Sequence, residues 1–166
     1  MTVDSALRTR PRPGWAYAAA AVAGLSALVS VYWSLGGTMG IRSVGGQIAD
    51  LALSTGAGAT ALALSASLLK LVGVGFALVL AGRLGRRLPP RWVLVAGWCA
   101  AAVLSVYGAV NMIGAALVLI GAVHAPGADR YALGWHLGLW DLLFLVWGVF
   151  LGLALHRYGK AVAANR

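Results

Sequence analysis

Hydrophobic residues along this chain fall into four long runs that short polar stretches separate. The runs cover residues 15–35, 57–82, 92–123 and 132–155. An α-helix rises about 1.5 Å per residue, so each run is long enough to cross about 30 Å of hydrocarbon. Glycine, proline and arginine occupy the breaks, where helices tend to end. The pattern predicts an all-α polytopic membrane protein, a four-transmembrane-helix bundle that forms a single membrane domain over residues 1–166.

The connection between the first two runs, residues 37–56, is the longest break. It mixes glycine, serine and threonine with Arg42 and Asp50. A short amphipathic or re-entrant segment is compatible with this composition, because non-helical backbone is tolerated at membrane depth where protein covers it.

Composition agrees with a membrane protein and changes how the charge is interpreted. Of the 166 residues, 61% are hydrophobic and 10% are charged, whereas a soluble domain typically carries about 25% charged residues. The net charge of +9 would suggest a nucleic-acid partner in a soluble protein. Here the basic residues stand at the ends of apolar runs, so we expect the lipid bilayer as the partner and no nucleic acid. The single cysteine, Cys99, excludes an internal disulfide bond.

Lysine and arginine are distributed unequally between the two ends of the predicted bundle. Ten lie in the N-terminal tail, the second connection and the C-terminal tail, and only Arg42 and Arg130 lie in the other two connections. Basic residues mark the cytoplasmic side of membrane proteins, so we expect both termini in the cytoplasm. The first run is too long for the apolar core of a signal peptide, and we expect it to be retained.

Two charged residues, Lys70 and Asp141, lie inside the apolar runs. From the helix rise, Asp141 lies about 13 Å below the outer start of the fourth run, and Lys70 about 15–20 Å below the start of the second. Each shares a helix face with small residues, which is where membrane helices approach each other closely. We therefore expect both side chains to face the bundle interior, and a buried Lys70–Asp141 ion pair is one possible arrangement.

Aromatic and polar side chains share the outer half of the predicted bundle with Asp141. A carboxylic acid surrounded by aromatic rings suits proton-initiated chemistry on an apolar substrate, so Asp141 is the candidate catalytic acid. The candidate substrate-binding residues are Trp33, Tyr32, Tyr107, Asn111, His136, Trp140 and Lys70. In a regular helix, His136, Trp140 and Trp147 form a stripe about 100° round from Asp141, which is more typical of packing than of a site.

The histidines do not form a metal-binding pattern. The three of them, His124, His136 and His156, show neither the spacing of a zinc site nor that of a haem attachment. The glycines are spaced for helix contacts and do not form a phosphate-binding loop. No metal and no other cofactor is expected.

Two segments resemble a family of small four-helix bacterial membrane proteins of unknown function. They are VYWSLGGTMGIR (31–42), which closes the first run, and LWDLLFLVWGVFLG (139–152), in the last. The resemblance implies a bacterial cytoplasmic (inner) membrane location and groups Trp33, Gly36, Gly37, Trp140 and Asp141 into one site. A proline often follows the Trp-Asp pair in that family. Leu142 stands there instead, so we expect that helical turn to be unbroken.

Three functions are compatible with these features. The first is an enzyme in which Asp141 protonates a lipophilic, isoprenoid-like substrate within the bilayer. The second is a proton-coupled carrier for a small molecule, for which the size of the chain suits a homodimer. The third is a structural or regulatory membrane subunit in which Lys70 and Asp141 form an internal latch. The sequence alone does not separate these three.

Overall fold

The computed structural model describes residues 13–46, 49–50, 57–85 and 88–164. They contain four long helices: α1 (Gly14–Ser34), α2 (Ala57–Leu80), α3 (Pro90–Leu119) and α4 (Arg130–Ala164). Each helix is long and apolar enough to cross a membrane. The prediction of an all-helical chain with four such helices is confirmed, and this is the architecture of a multi-pass membrane protein.

Local backbone chemistry sets where the helices end. After α1, the amide of Gly37 donates to the carbonyl of Tyr32 and that of Gly36 donates to Trp33. Gly36 has a φ of 89°, the left-handed conformation that closes a helix in this way. The third run extends to residue 123, but α3 ends at Leu119. The Arg130 guanidinium donates to the carbonyls of Val118 and Leu119 and so stabilises this end.

The helices pack in the order α2, α1, α4, α3. The main contacts join α1 to α2, α3 to α4 and α1 to α4, whereas α2 and α3 make few contacts with each other. We call the end that holds Gly14, Leu80 and Pro90 the termini end, and the end that holds Ser34 and Arg130 the loop end.

The hydrophobic core lies toward the termini end. Small residues of α1 and large residues of α4 dominate it, with Trp147 as its largest member. Its buried members are Ala16, Ala19, Ala23, Ala77, Leu80, Val93, Ala101, Trp147, Leu151, Ala154 and Leu155. Alanine allows close approach of helix backbones, which strengthens dispersion contacts where no water is present to drive association.

Glycine brings α3 and α4 together beside Asp141. A Cβ atom added at Gly108 would lie 2.6 Å from the carbonyl oxygen of Asp141 and 2.6 Å from the amide nitrogen of Leu145. Both are backbone atoms of α4 and cannot move aside cheaply. A Cβ added at Gly148, farther along α4, would overlap Ser105. The backbone that carries Asp141 is therefore held directly against α3.

The helix α4 contains one irregular segment. Residues His136–Trp140 form a π-helical turn between the α-helical stretches Arg130–Trp135 and Asp141–Ala164. The expectation of an unbroken turn at Leu142 is correct for Leu142 itself, which lies in regular helix. The turn immediately before it is wider than an α-helical turn. Such π segments are rare and occur frequently at functional sites.

Candidate functional site at the loop end

Residues 35–46, which we call the cap loop, fold over the loop end of the bundle. The indole Nε1 of Trp33 donates to the carbonyl of Met39 at 3.0 Å, and the amide of Met39 donates to the Tyr32 hydroxyl at 3.2 Å. A side chain at Gly37 would overlap the Tyr32 ring. The aromatic residues that end α1 therefore fix the first half of the cap loop.

The second half of the cap loop contains a 3-10 turn, Ile41–Ser43, that contacts α4. The Ser43 hydroxyl donates to the carbonyl of Gly40 at 2.5 Å and accepts a hydrogen bond from Trp140 Nε1 at 3.1 Å. The rings of Trp140 and Trp33 meet edge to face, with centroids 5.3 Å apart. Two indoles from different helices therefore form one aromatic wall beneath the cap loop.

A buried acid lies next to this wall. Asp141 is 2% exposed, and its Oδ2 lies 3.1 Å from Nδ1 of His136. The other ring nitrogen of His136, Nε2, lies 2.9 Å from the carbonyl oxygen of Val44 in the cap loop. The imidazole therefore bridges the acid on α4 and the backbone of the cap loop.

The two contacts of the imidazole define where the hydrogens of the His136–Asp141 pair lie. A carbonyl oxygen only accepts, so His136 Nε2 must carry a hydrogen that it donates to Val44. The contact between Nδ1 and Oδ2 then requires one hydrogen between the two atoms. That hydrogen makes the pair either an imidazolium with a carboxylate or a neutral imidazole with a carboxylic acid. In both forms the pair holds a single proton between a base and an acid.

The π-helical turn explains why His136 reaches Asp141. Residues five apart in a regular α-helix point about 140° away from each other, so the sequence pattern separates the two side chains. A π turn accommodates one additional residue, which restores the relation of α-helical residues four apart, about 40°. The prediction that His136 lies well away from Asp141 is therefore wrong, because it assumed a regular helix.

Lys70 has a different partner from the one that its depth suggested. Its ammonium donates to the Ser30 hydroxyl of α1 at 2.6 Å and lies 5.8 Å from the centre of the Phe144 ring. Among the described residues, Asp141 forms its salt bridge with His136. The predicted direct ion pair between Lys70 and Asp141 is therefore not formed. His136, on the same helix as Asp141, is the partner that Lys70 was expected to be.

Tyr107 and Asn111 stand at the margin of the site. Tyr107 is 49% exposed and packs edge to face on Phe144, with ring centroids 5.2 Å apart. Asn111 donates to the carbonyl of Tyr107 within its own helix. In the part of the chain that the structure describes, no hydrogen bond joins either residue to the His136–Asp141 pair. Both are connected to α4 through Phe144.

The structure adds three residues to those that the sequence indicated: Ser43, Val44 and Phe144. The composition of the 37–56 connection allowed a re-entrant segment, which gave a signal for the cap loop as a whole. The composition gave no signal for Val44 in particular, because any residue can supply a backbone carbonyl. Within the described ranges, no group of three or more His, Cys, Asp or Glu side chains is placed to hold a metal ion.

These features define a class: a four-helix, multi-pass membrane protein in which a buried aspartate contacts a partly exposed histidine beneath a loop that two tryptophans anchor. The model of one family, DUF3995, described as a protein of unknown function, matches residues 8–151. The chain belongs to that family. The expectation that it falls in a family of unknown function is confirmed. No curated protein and no solved structure matched the chain.

Proposed function

We propose that this protein acts on a lipophilic small molecule within the membrane and that the His136–Asp141 pair is its proton donor. The observation that carries the proposal is the pair of hydrogen bonds on the imidazole. Val44 fixes the hydrogen of Nε2, so the hydrogen between Nδ1 and Oδ2 is the one available for transfer. A base that orients a buried acid is a recurrent arrangement in general acid catalysis.

The chemistry that suits this site is protonation of an alkene or an epoxide. Asp141 would give its proton to the substrate. An alkene would become a carbocation directly, and a protonated epoxide would become one when a ring C–O bond breaks and leaves a hydroxyl group. The faces of Trp33 and Trp140 would stabilise the cation through their ring quadrupoles. The cycle closes when a carbon next to the cation loses a proton to the carboxylate. Burial beneath the cap loop would keep water from capturing the cation.

The arrangement of the helices supports a lipophilic substrate. Because α2 and α3 make few contacts, the face of α4 that carries Phe144 is accessible from the side of the bundle. Phe144 lies about one helical turn from Asp141. A substrate dissolved in the bilayer would approach between α2 and α3, and the cap loop or the Phe144 side chain would move aside to expose the acid.

The test begins with the molecule that accompanies the protein. Wild type, Asp141→Asn and the control His124→Gln would be purified in mild detergent, and organic extracts would be compared by mass spectrometry. His124 is exposed in the connection before α4 and serves as a matched histidine control. We expect a lipophilic compound with all three proteins, and its converted form only with wild type and His124→Gln. Equal conversion by a folded Asp141→Asn protein would refute the proposal.

A second candidate is a structural or regulatory subunit in which the pair is a latch. The observation that favours it is the burial of Asp141, which is 2% exposed, together with the bond from His136 to the cap loop. A cysteine at the buried position of Ile41, in a Cys99→Ala background, reports whether the cap loop lifts. A latch predicts faster labelling of that cysteine in His136→Phe, which loses the hydrogen bond to Val44. A catalytic acid predicts unchanged labelling in Asp141→Asn with loss of conversion.

We also propose that the protein resides in the cytoplasmic membrane of a bacterium with both termini inside. The unequal distribution of basic residues supports this orientation. Arginines at the termini end contact aromatic rings: Arg83 bonds the Tyr17 hydroxyl, and Arg157 lies over Trp15. Such pairs are suited to the boundary between acyl chains and headgroups.

A further inference from the structure

Lys70 carries a charge at a depth where lipid offers no solvation. It lies ten residues from Leu80, the end of α2, which corresponds to about 15 Å along the helix. It lies still farther from Ala57 at the other end. Among the described residues, no carboxylate oxygen lies within 4.0 Å of its ammonium. The neutral Ser30 hydroxyl and the face of Phe144 are its polar and aromatic contacts.

Lys70 lies beside the gap between α2 and α3, which make few contacts with each other, and we call this gap the cleft. At the termini end, Phe76 of α2 reaches Gly97 of α3 and closes the cleft. Nearer the loop end the two helices make few contacts, and α4 forms the floor with Phe144 and Trp147. Both flanking helices present exposed apolar side chains, as a surface in contact with lipid requires.

A second hydrogen-bond donor lies on the floor of this cleft and has no acceptor among the described residues. Trp147 is 5% exposed, and within the described residues its buried Nε1–H has no hydrogen-bond partner. Its indole lies against Gly73, about one turn of α2 from Lys70. A buried donor is normally satisfied, so this one is a second unmet hydrogen-bonding group near Lys70, independent of the lysine itself.

We propose that the cleft between α2 and α3 binds a lipophilic carboxylate, with its head at Lys70 and its hydrocarbon chain between the two helices. An ammonium group has three donor hydrogens, and Ser30 takes one. A carboxylate supplies the missing charge and acceptor oxygens. The depth of Lys70 favours a single carboxylate over a phospholipid as the occupant, because a small carboxylate is more easily drawn below the membrane surface to the ammonium than a bulky phosphate headgroup is. The inference rests on Lys70 and Trp147 and does not depend on the role of Asp141.

Binding of palmitate by the full-length protein in detergent tests this proposal, with hexadecanol and phosphatidylglycerol as the comparison ligands. Native mass spectrometry and thermal unfolding would both be measured. We expect palmitate to bind at least about tenfold more tightly than hexadecanol, since one charge-assisted bond is lost in the alcohol. Equal binding of palmitate and hexadecanol by the wild-type protein, or tighter binding of phosphatidylglycerol than of palmitate, would overturn the proposal.

Variants then locate the site. Lys70→Met removes the charge at similar length and is expected to abolish the preference for palmitate over hexadecanol. Lys70→Arg retains the charge and should retain the preference. Lys160→Met, at an exposed position near the termini end, is the matched control and should behave as wild type. A Lys70→Met protein that keeps the wild-type preference would show that the carboxylate binds elsewhere.

Discussion

At the scale of single residues, the stability of Asp141 in the interior depends on His136. Neither side chain has a favourable environment without the other. Asp141 is a buried acid, and His136 bridges it to the carbonyl of Val44. Removing one member of a buried pair leaves an unpaired polar group, whereas removing both leaves none. The pair is therefore expected to behave as a unit, and its two members should show strongly non-additive effects on stability.

We expect His136→Phe to lower the free energy of unfolding by about 3 kcal/mol, because the acid loses its partner. Asp141→Asn should lower it by only about 1 kcal/mol, since an amide can still donate to Nδ1. The double variant His136→Phe/Asp141→Leu should recover most of the stability. Unfolding in denaturing detergent, followed by circular dichroism, measures all three. His156→Phe, at an exposed position, is the control. A double variant no more stable than His136→Phe alone would contradict the assignment of a coupled pair.

At the scale of helices, two glycines of α3 with different surroundings should respond oppositely to the same substitution. Gly108 faces the backbone of α4, whereas nothing lies within 4 Å of a Cβ added at Gly114. We expect Gly108→Ala to destabilise the protein by about 1–3 kcal/mol, because two backbones must separate. Gly114→Ala should be neutral or stabilising by up to about 1 kcal/mol, since alanine favours helix. Similar effects of the two substitutions on thermal unfolding would exclude the close contact.

The π-helical turn gives a second test at this scale. Deleting Gly138, an exposed residue inside the turn, should convert it to α-helix and keep His136 and Asp141 on one face. Deleting Leu142, in the regular helix beyond it, should rotate the site by about 100° against the core. We therefore expect a folded protein from the first deletion and a strongly destabilised one from the second. If both deletions were equally damaging to thermal stability, the π turn would not be the element that sets the register.

At the scale of the whole molecule, the features that follow from hydrophobic length were predictable and those that follow from local irregularity were not. Run lengths predicted the four helices. The structure places the rings of Trp33 and Trp140 in contact at the loop end. The His136–Asp141 contact was missed because helical periodicity assumes a constant turn per residue. Matched depth and small-residue faces suggested Asp141 as the partner of Lys70, but neither observation distinguishes a carboxylate from a hydroxyl partner such as Ser30.

The distribution of basic residues predicts the orientation of the molecule in the membrane. Outside the apolar runs, the sequence has ten lysines and arginines in its two tails and its second connection, and two in the other connections. Cells translocate few positive charges, so the termini end should face the cytoplasm and the cap loop should face outward. A reporter that is active only in the cytoplasm, fused after Arg166, is expected to be active.

Cysteine labelling in intact cells tests both ends of the same protein. In a Cys99→Ala background, a cysteine at Met39 in the cap loop should react with a membrane-impermeant maleimide before lysis. A cysteine at Leu84, in the connection between α2 and α3, should react only after lysis. Both positions are exposed, so burial does not account for the expected difference. The opposite labelling pattern would place the cap loop in the cytoplasm, and the approach of substrate to the His136–Asp141 pair would then have to be assigned to the other leaflet.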